Sequence, residues 1–449
     1  MELTQAHKRA DIAIMPEDWG LAALEDLSAF ITKGATPTTF GFKWERSGIL
    51  FLRSENITDR GIDLSGARMI SEEANRMLSR SEIRREDILI AITGYVGRVA
   101  IFDLNVPANI NQHVARVRIG SAKAKSQFLF YWLSQPSVRR NFENITTGQA
   151  YPQISLTQVR NAVVPLPPLQ EQSAIAEALL DVDAKIGALA RLIAKKRVLR
   201  QGVMQRLLSG QTRLPGFGPR TSEYKKTEIG PIPEDWDAVR LGELFEFKNG
   251  LNKAKRFFGS GTPIVNYMDV FGRPDLRSEK IAGKVDVSKS EREAYEVRQG
   301  DVFFTRTSET VEEVGIAAVM LDPVRDTVYS GFVLRARPKD ESLDNLFKVY
   351  CFSPQYFRQQ IISRASYTTR ALTNGRSLSA TFLARPPVAE QIAIARVLAD
   401  FDREILALDA RLNKTRAVKQ AMMQALLTGR IRFHLAGEAA PEAKGIAYA

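Results

Sequence analysis

Arginine, lysine, asparagine and glutamine recur in short loops of this sequence, interleaved with threonine, glycine and tyrosine. These are the groups that contact nucleic acid. Arg or Lys donates to guanine, Asn or Gln pairs with adenine, and small hydroxyls bond phosphate oxygens. In the first third of the chain the candidates are Lys33, Thr36, Lys43, Arg53, Thr93, Gly94, Tyr95, Arg98, Asn111, Gln112, Thr147, Gln149 and Tyr151. Past the midpoint they are Lys248, Asn249, Lys253, Lys255, Arg256, Arg306, Thr307, Ser308, Thr369, Arg370 and Arg376. Ordinary solvated loops have the same composition, so residue type alone does not separate a reader from a plain surface.

Other chemistries find no residues to carry them. His7, His113 and His434 are the only histidines, and no triad or histidine metal site is visible among them. A lone Cys351 excludes an internal disulfide and a multi-cysteine metal site. Gly283-Lys284 is followed by Val285 rather than Ser or Thr, so there is no phosphate-binding loop. Gly259-Ser260-Gly261 lacks the third glycine of a dinucleotide site, and Pro167-Pro168 lies between leucines rather than in an amino-methyltransferase tetrapeptide. Glu223-Tyr224-Lys225 has a nuclease-like spacing without an upstream acid. No catalytic residue and no metal ligand is assigned, and the balance favours a binding protein over an enzyme.

Charge points the same way. Lys and Arg number 63 against 51 Asp and Glu, a net charge of +12, which suits a polyanionic partner such as nucleic acid or an anionic membrane surface. No run approaches about 18 consecutive apolar residues, and Met1 to Asp18 holds no apolar core of signal-peptide length. A cytoplasmic, reducing setting is the expectation. With 449 residues, two to four domains are expected.

The elements that must position these loops show themselves by repetition. Leu169-Gln170-Glu171-Gln172, Ile175-Ala176, Leu179, Asp181, Asp183, Met204-Gln205, Leu207-Leu208, Gly210 and Arg213 form one series. Val388-Ala389-Glu390-Gln391, Ile394-Ala395, Leu398, Asp400, Asp402, Met423-Gln424, Leu426-Leu427, Gly429 and Arg432 form the other, offset by 219 residues without a gap. Pro16-Glu17-Asp18-Trp19 likewise returns as Pro233-Glu234-Asp235-Trp236, offset by 217. Steps of four and three along each series give one mostly apolar stripe: Ile175, Leu179, Val182, Ile186, Leu189 and Ile193, and then Ile394, Leu398, Phe401, Ile405, Leu408 and Leu412. That spacing predicts two long helices of left-handed supercoil period, each about 60 Å at 1.5 Å per residue. Each stripe needs a partner, and the two are expected to pair antiparallel. Pro168 and Pro387 precede the helices, and Gly210 and Gly429 stop them.

The expected fold class is α+β, with two mixed α/β blocks, a long antiparallel two-helix coiled coil between them and a pseudo-twofold repeat. The boundaries are a tail over 1–15, a block over 16–168, a helix over 169–213 and a linker over 214–232. A second block over 233–387, a second helix over 388–433 and a tail over 434–449 follow. Inside the blocks, Ile88 to Ile92 and Val302 to Phe304 read as buried strands, each followed by a polar loop.

The chain resembles the specificity subunits of type I restriction–modification systems. The resemblance rests on Pro165 to Gln172 entering the first helix and Gly202 to Gly210 ending it. Their counterparts Arg385 to Gln391 and Met422 to Gly429, and the two Pro-Glu-Asp-Trp openings, complete it. In the second copy Leu383-Ala384-Arg385 replaces the usual apolar-Pro-apolar lead-in. The resemblance implies two target-recognition domains held apart by the coiled coil, each reading one half of a split double-stranded DNA target. It also implies two docked methyltransferase subunits using S-adenosylmethionine and, in the nuclease form, restriction/translocase subunits using ATP and Mg. This chain itself would hold no cofactor and no catalytic centre. Two other readings stay open on sequence: the same DNA-reading role beside a type II fused nuclease–methyltransferase, and a coiled-coil scaffold that binds no DNA.

Overall fold

The computed structural model describes residues 15–148, 151–218, 223–367 and 370–433. The chain divides into two units, one made of residues 1–190 with 411–449 and the other of residues 191–410.

In the first unit an antiparallel sheet orders Ser28–Lys33, Val114–Ile119, Ile88–Ala91 and Val99–Ile101. The strand from Ile88 is apolar at every position because both of its faces are covered. Ile88, Ile90 and Ile92 face a core built with Phe128, Leu129, Trp132 and Phe142, from the helices Ser126–Leu133 and Pro136–Asn144. Leu89 and Ala91 face a second core shared with Leu50, Leu52, Ala108 and Ile110. Those residues come from a smaller sheet in the order Arg68–Ile70, Ile49–Leu52, Ala108–Ile110, Glu82–Ile83, whose middle pair is parallel. Gly20–Ala23 pairs with Val163–Leu166 and closes the block next to the first long helix.

The second unit repeats this plan. Phe245–Asn249, Val333–Pro338, Val302–Thr305, Ala317–Met320 and Asp275–Leu276 form the main sheet. Val302 and Phe304 face one core and Phe303 the other, again by the period of two. Lys284–Val285, Phe258–Val265 and Val328–Tyr329 form the smaller sheet, and Asp237–Arg240 pairs with Phe382–Arg385. Residues 224–233, most of them expected as linker, fold as an antiparallel hairpin of Tyr224–Thr227 with Gly230–Pro233.

Two helices, Leu169–Leu208 and Val388–Leu426, each contribute to both units. Within the first unit Asp183 pairs with Lys419 and Glu171 with Arg432. Within the second, Lys196 pairs with Glu404, Arg200 with Asp402 and Arg213 with Glu390. As the number rises on one helix it falls on the other, so the segments run antiparallel in each unit.

The stripe divides its work. Ile175 and Leu179 sit in the core of the first block, and Ile394 and Leu398 in that of the second. Sequence spacing alone had placed them in the helix–helix seam; they are absorbed by the blocks because each helix starts against its own sheet. Leu189, Ile193, Ile405 and Leu412 are buried outside those cores, whereas Val182, Ile186, Phe401 and Leu408 are half-buried. Where the stripe turns polar, at Lys196, Arg200 and Lys419, the side chains form the ion pairs named above.

The repeated motifs meet as a clamp. In the first unit the Trp19 indole donates to Glu171 (3.1 Å), and Arg432 bonds both Glu171 and Asp18. In the second, Trp236 donates to Glu390 (2.8 Å), and Arg213 bonds both Glu390 and Asp235. Gly429 and Gly210 adopt positive φ at the helix ends. A Cβ on either would strike Pro16 or Pro233 at 2.4 Å, which is why the motif needs glycine there. Gln172 and Gln391 tie each helix start to its block through three main-chain bonds apiece. Each clamp therefore joins the start of one repeat to the end of the other.

Candidate nucleic-acid interface

In the first unit three loops converge at one end of the main sheet. Lys33 ends one edge strand, and the Gly34 amide donates to the Asn111 carbonyl. A Cβ on Gly34 would lie 1.7 Å from the Ile110 carbonyl oxygen, so glycine is required for that approach. Thr36 donates to Gln112 (2.5 Å) across the same gap. Thr93, following the central strand, bridges Gln153, which also bridges Thr147. Arg53 lies at the adjoining end of the smaller sheet, just past Leu52, whose carbonyl accepts from the Asn111 amide.

Side-chain exposure sorts the candidates. Lys33, Lys43, Gly94, Tyr95, Thr147 and Tyr151 are exposed, and Arg98 stacks on the Tyr95 ring at 4.3 Å. Thr36, Arg53, Arg98 and Gln112 are half-buried, and Arg53 is engaged with Glu55 and the Gly66 carbonyl. Thr93 and Asn111 are buried, and Asn111 accepts from the His113 amide to shape its turn. The Asn111 side chain is thus engaged within its own loop. Gln149 lies outside the described residues.

The second unit has the matching loop end. Asn249 ends its edge strand, the Arg306 amide donates to Phe332, and the Thr373 amide to Arg306. The short strand Thr307–Ser308 pairs with Ala371–Leu372. Asn249, Lys255, Arg256, Arg370 and Arg376 are exposed. Lys248 donates to the Ala294 carbonyl, Lys253 pairs with Glu291, and Arg306 donates to the Gly331 carbonyl, so these cations are partly committed to the fold. Thr307 is half-buried, and the buried Ser308 donates to Glu313. Thr369 lies outside the described residues.

Exposed aromatics stand among these loops: Tyr95 and Tyr151 in the first unit, Phe332 and Tyr367 in the second. Such rings supply stacking and apolar contact to bases. Deep to the second loop end, burial and nearby Asp301 push the Tyr329 phenol up to about 12 against the opposing pull of Arg335 and Arg337, so it stays neutral. Among the described residues no group of three or more His, Cys, Asp or Glu could hold a metal ion, and no helix is long and apolar enough to cross a membrane.

A family model described as the type I restriction modification DNA specificity domain matches residues 16–195 and again 233–415. The chain belongs to this family. A chain of Methanocaldococcus jannaschii assigned as the MjaX type I restriction enzyme specificity subunit is 26% identical over 439 residues, covering 95% of this chain and 96% of its own. The MjaVIII specificity subunit of the same organism is 24% identical, covering 93% and 94%. In fold, the type I restriction–modification S subunit from M. genitalium is similar, with a TM-score of 0.54 at 14% identity over 94% of this chain and 98% of that one. The specificity-domain match takes in both loop ends and a long part of each long helix.

Sequence reasoning missed the clamp residues Asp18, Trp19, Glu171 and Arg432, and their counterparts, as a structural unit, although the 217 and 219 offsets had already marked every one of them. It also passed over Glu309, which stands exposed between Ser308 and the Arg370 loop. An acid among basic loops was the available signal.

Proposed function

We propose that this chain is the DNA sequence-specificity subunit of a type I restriction–modification enzyme and reads a double-stranded target in two parts. The observation that carries this is the twofold specificity-domain match, one copy per block, each with exposed cations and aromatics on loops at one end of its main sheet. Two dissimilar loop sets read two dissimilar half-sites. The long helices dock two methyltransferase subunits and set the interval between half-sites, and restriction/translocase subunits join to form the nuclease. The chain is non-catalytic and acts in the cytoplasm. S-adenosylmethionine, ATP and Mg serve the partner subunits.

The test is co-expression with a methyltransferase subunit of a type I system, followed by mapping of methylated adenines and DNA binding across a salt series. The expected result is one asymmetric interrupted motif, bound with an affinity that falls steeply as salt rises. Methylation without sequence preference, or DNA binding that ignores both sequence and salt, would exclude the reading.

A further inference from the structure

At the loop end of the second unit, Glu309 and Arg370 form an ion pair of 4.0 Å whose side chains remain 86% and 63% exposed. They line an open cavity of about 310 Å³ together with Tyr267, Thr307, Phe332 and Glu313, whose carboxylate already accepts from Ser308. Phe332 is itself 67% exposed. An exposed ion pair is weak, so opening it toward a ligand costs little.

A carboxylate at a surface that meets DNA is repelled by phosphates. Its favourable partners there are the amino groups on base edges, of which cytosine N4 is the usual donor to Glu in the major groove. The guanidinium fork of Arg matches guanine O6 and N7. One acceptor and one donor fork, side by side, complement the major-groove edge of a single G·C pair. The exposed Phe332 ring beside them offers apolar contact to a base. The corresponding loop of the first unit, Thr93 to Arg98, holds no acid, and His113 stands 219 residues before Phe332.

We propose that Glu309 and Arg370 read one G·C pair in the half-site of the second unit. This rests on the DNA-reading function proposed above. The experiment compares the wild-type complex, with its methyltransferase subunits, against E309A, R370A and R370K on a duplex library varied at each target position. Methylated adenines are the readout. E309A and R370A should each relax discrimination about tenfold to a hundredfold at the same G·C position, leaving the other half-site unchanged. R370K keeps the charge but loses the fork, and should relax it too. An even loss across all sequences with preferences intact would mean phosphate contact only and overturn the proposal. So would full specificity in R370K. A wild-type complex without any sequence preference would instead sink the DNA-reading function itself.

Discussion

Glu390 is fully buried and depends on Arg213, whose side chain is only 8% exposed. In the other clamp Glu171 is as deep, but Arg432 is 35% exposed. Removing one partner of a buried pair leaves an uncompensated charge, at about 3–5 kcal/mol. R213M should therefore lower the urea midpoint of unfolding markedly. R432M should lower it less, because the site of the partly exposed Arg432 guanidinium can fill with water beside the carboxylate it leaves behind. Tryptophan fluorescence follows both, since Trp236 and Trp19 sit in the respective clamps, and equal effects would contradict the burial argument. The same cations hold two carboxyls below the ordinary Asp value of 3.8: a hydrogen bond from Arg432 does so at Asp18, and one from Arg213 at Asp235. Lowered folded values add stability above that ordinary value, and the contribution fades as pH falls through the lowered one. D18N and D235N should thus weaken the protein at pH 7, while near pH 2 the difference from wild type shrinks, as acid unfolding would reveal.

At the scale of elements, each long helix is both core and coil. Leu398 is fully buried in the second block, so L398A should cost about 2–5 kcal/mol. Leu408, three turns on and half-buried, packs less, and L408A should cost clearly less. Thermal unfolding of the two variants separates them; a uniform coiled-coil seam would make them alike. The main strands show why their sequences lack alternation. Both faces are covered, so polar positions have nowhere to point, and only the distribution of side chains between two cores betrays the period of two.

For the whole molecule, residues 190 and 410 mark where the long helices pass between the units. Matched seven-residue insertions after Ala190 and Ala410 keep the apolar stripe in phase and lengthen each helix by roughly 10 Å. The gap in the methylated motif should then grow by about three base pairs at ~3.4 Å each, and an unchanged gap would exclude a spacer role. Exchanging residues 20–165 for the corresponding block of another family member should change one half-site and leave the other as it was, again read from methylated adenines.

The sequence by itself determined the repeat, the two long helices with their proline starts and glycine stops, the buried strands and the position of the variable loops. These follow from short-range rules: hydrophobic period, dihedral limits and self-similarity along the chain. Only the tertiary structure decided that Arg213 closes the clamp begun at Asp235 and Arg432 the one begun at Asp18. That exchange needs two helices running in opposite directions, a relation between residues as much as 414 positions apart. It also decided which loop side chains are free. Asn111 and Gln112 are neighbours in sequence and equally able to read a base, yet Asn111 is buried holding its own turn while Gln112 reaches across to Thr36. Burial is set by what packs over a residue, and local sequence does not contain that.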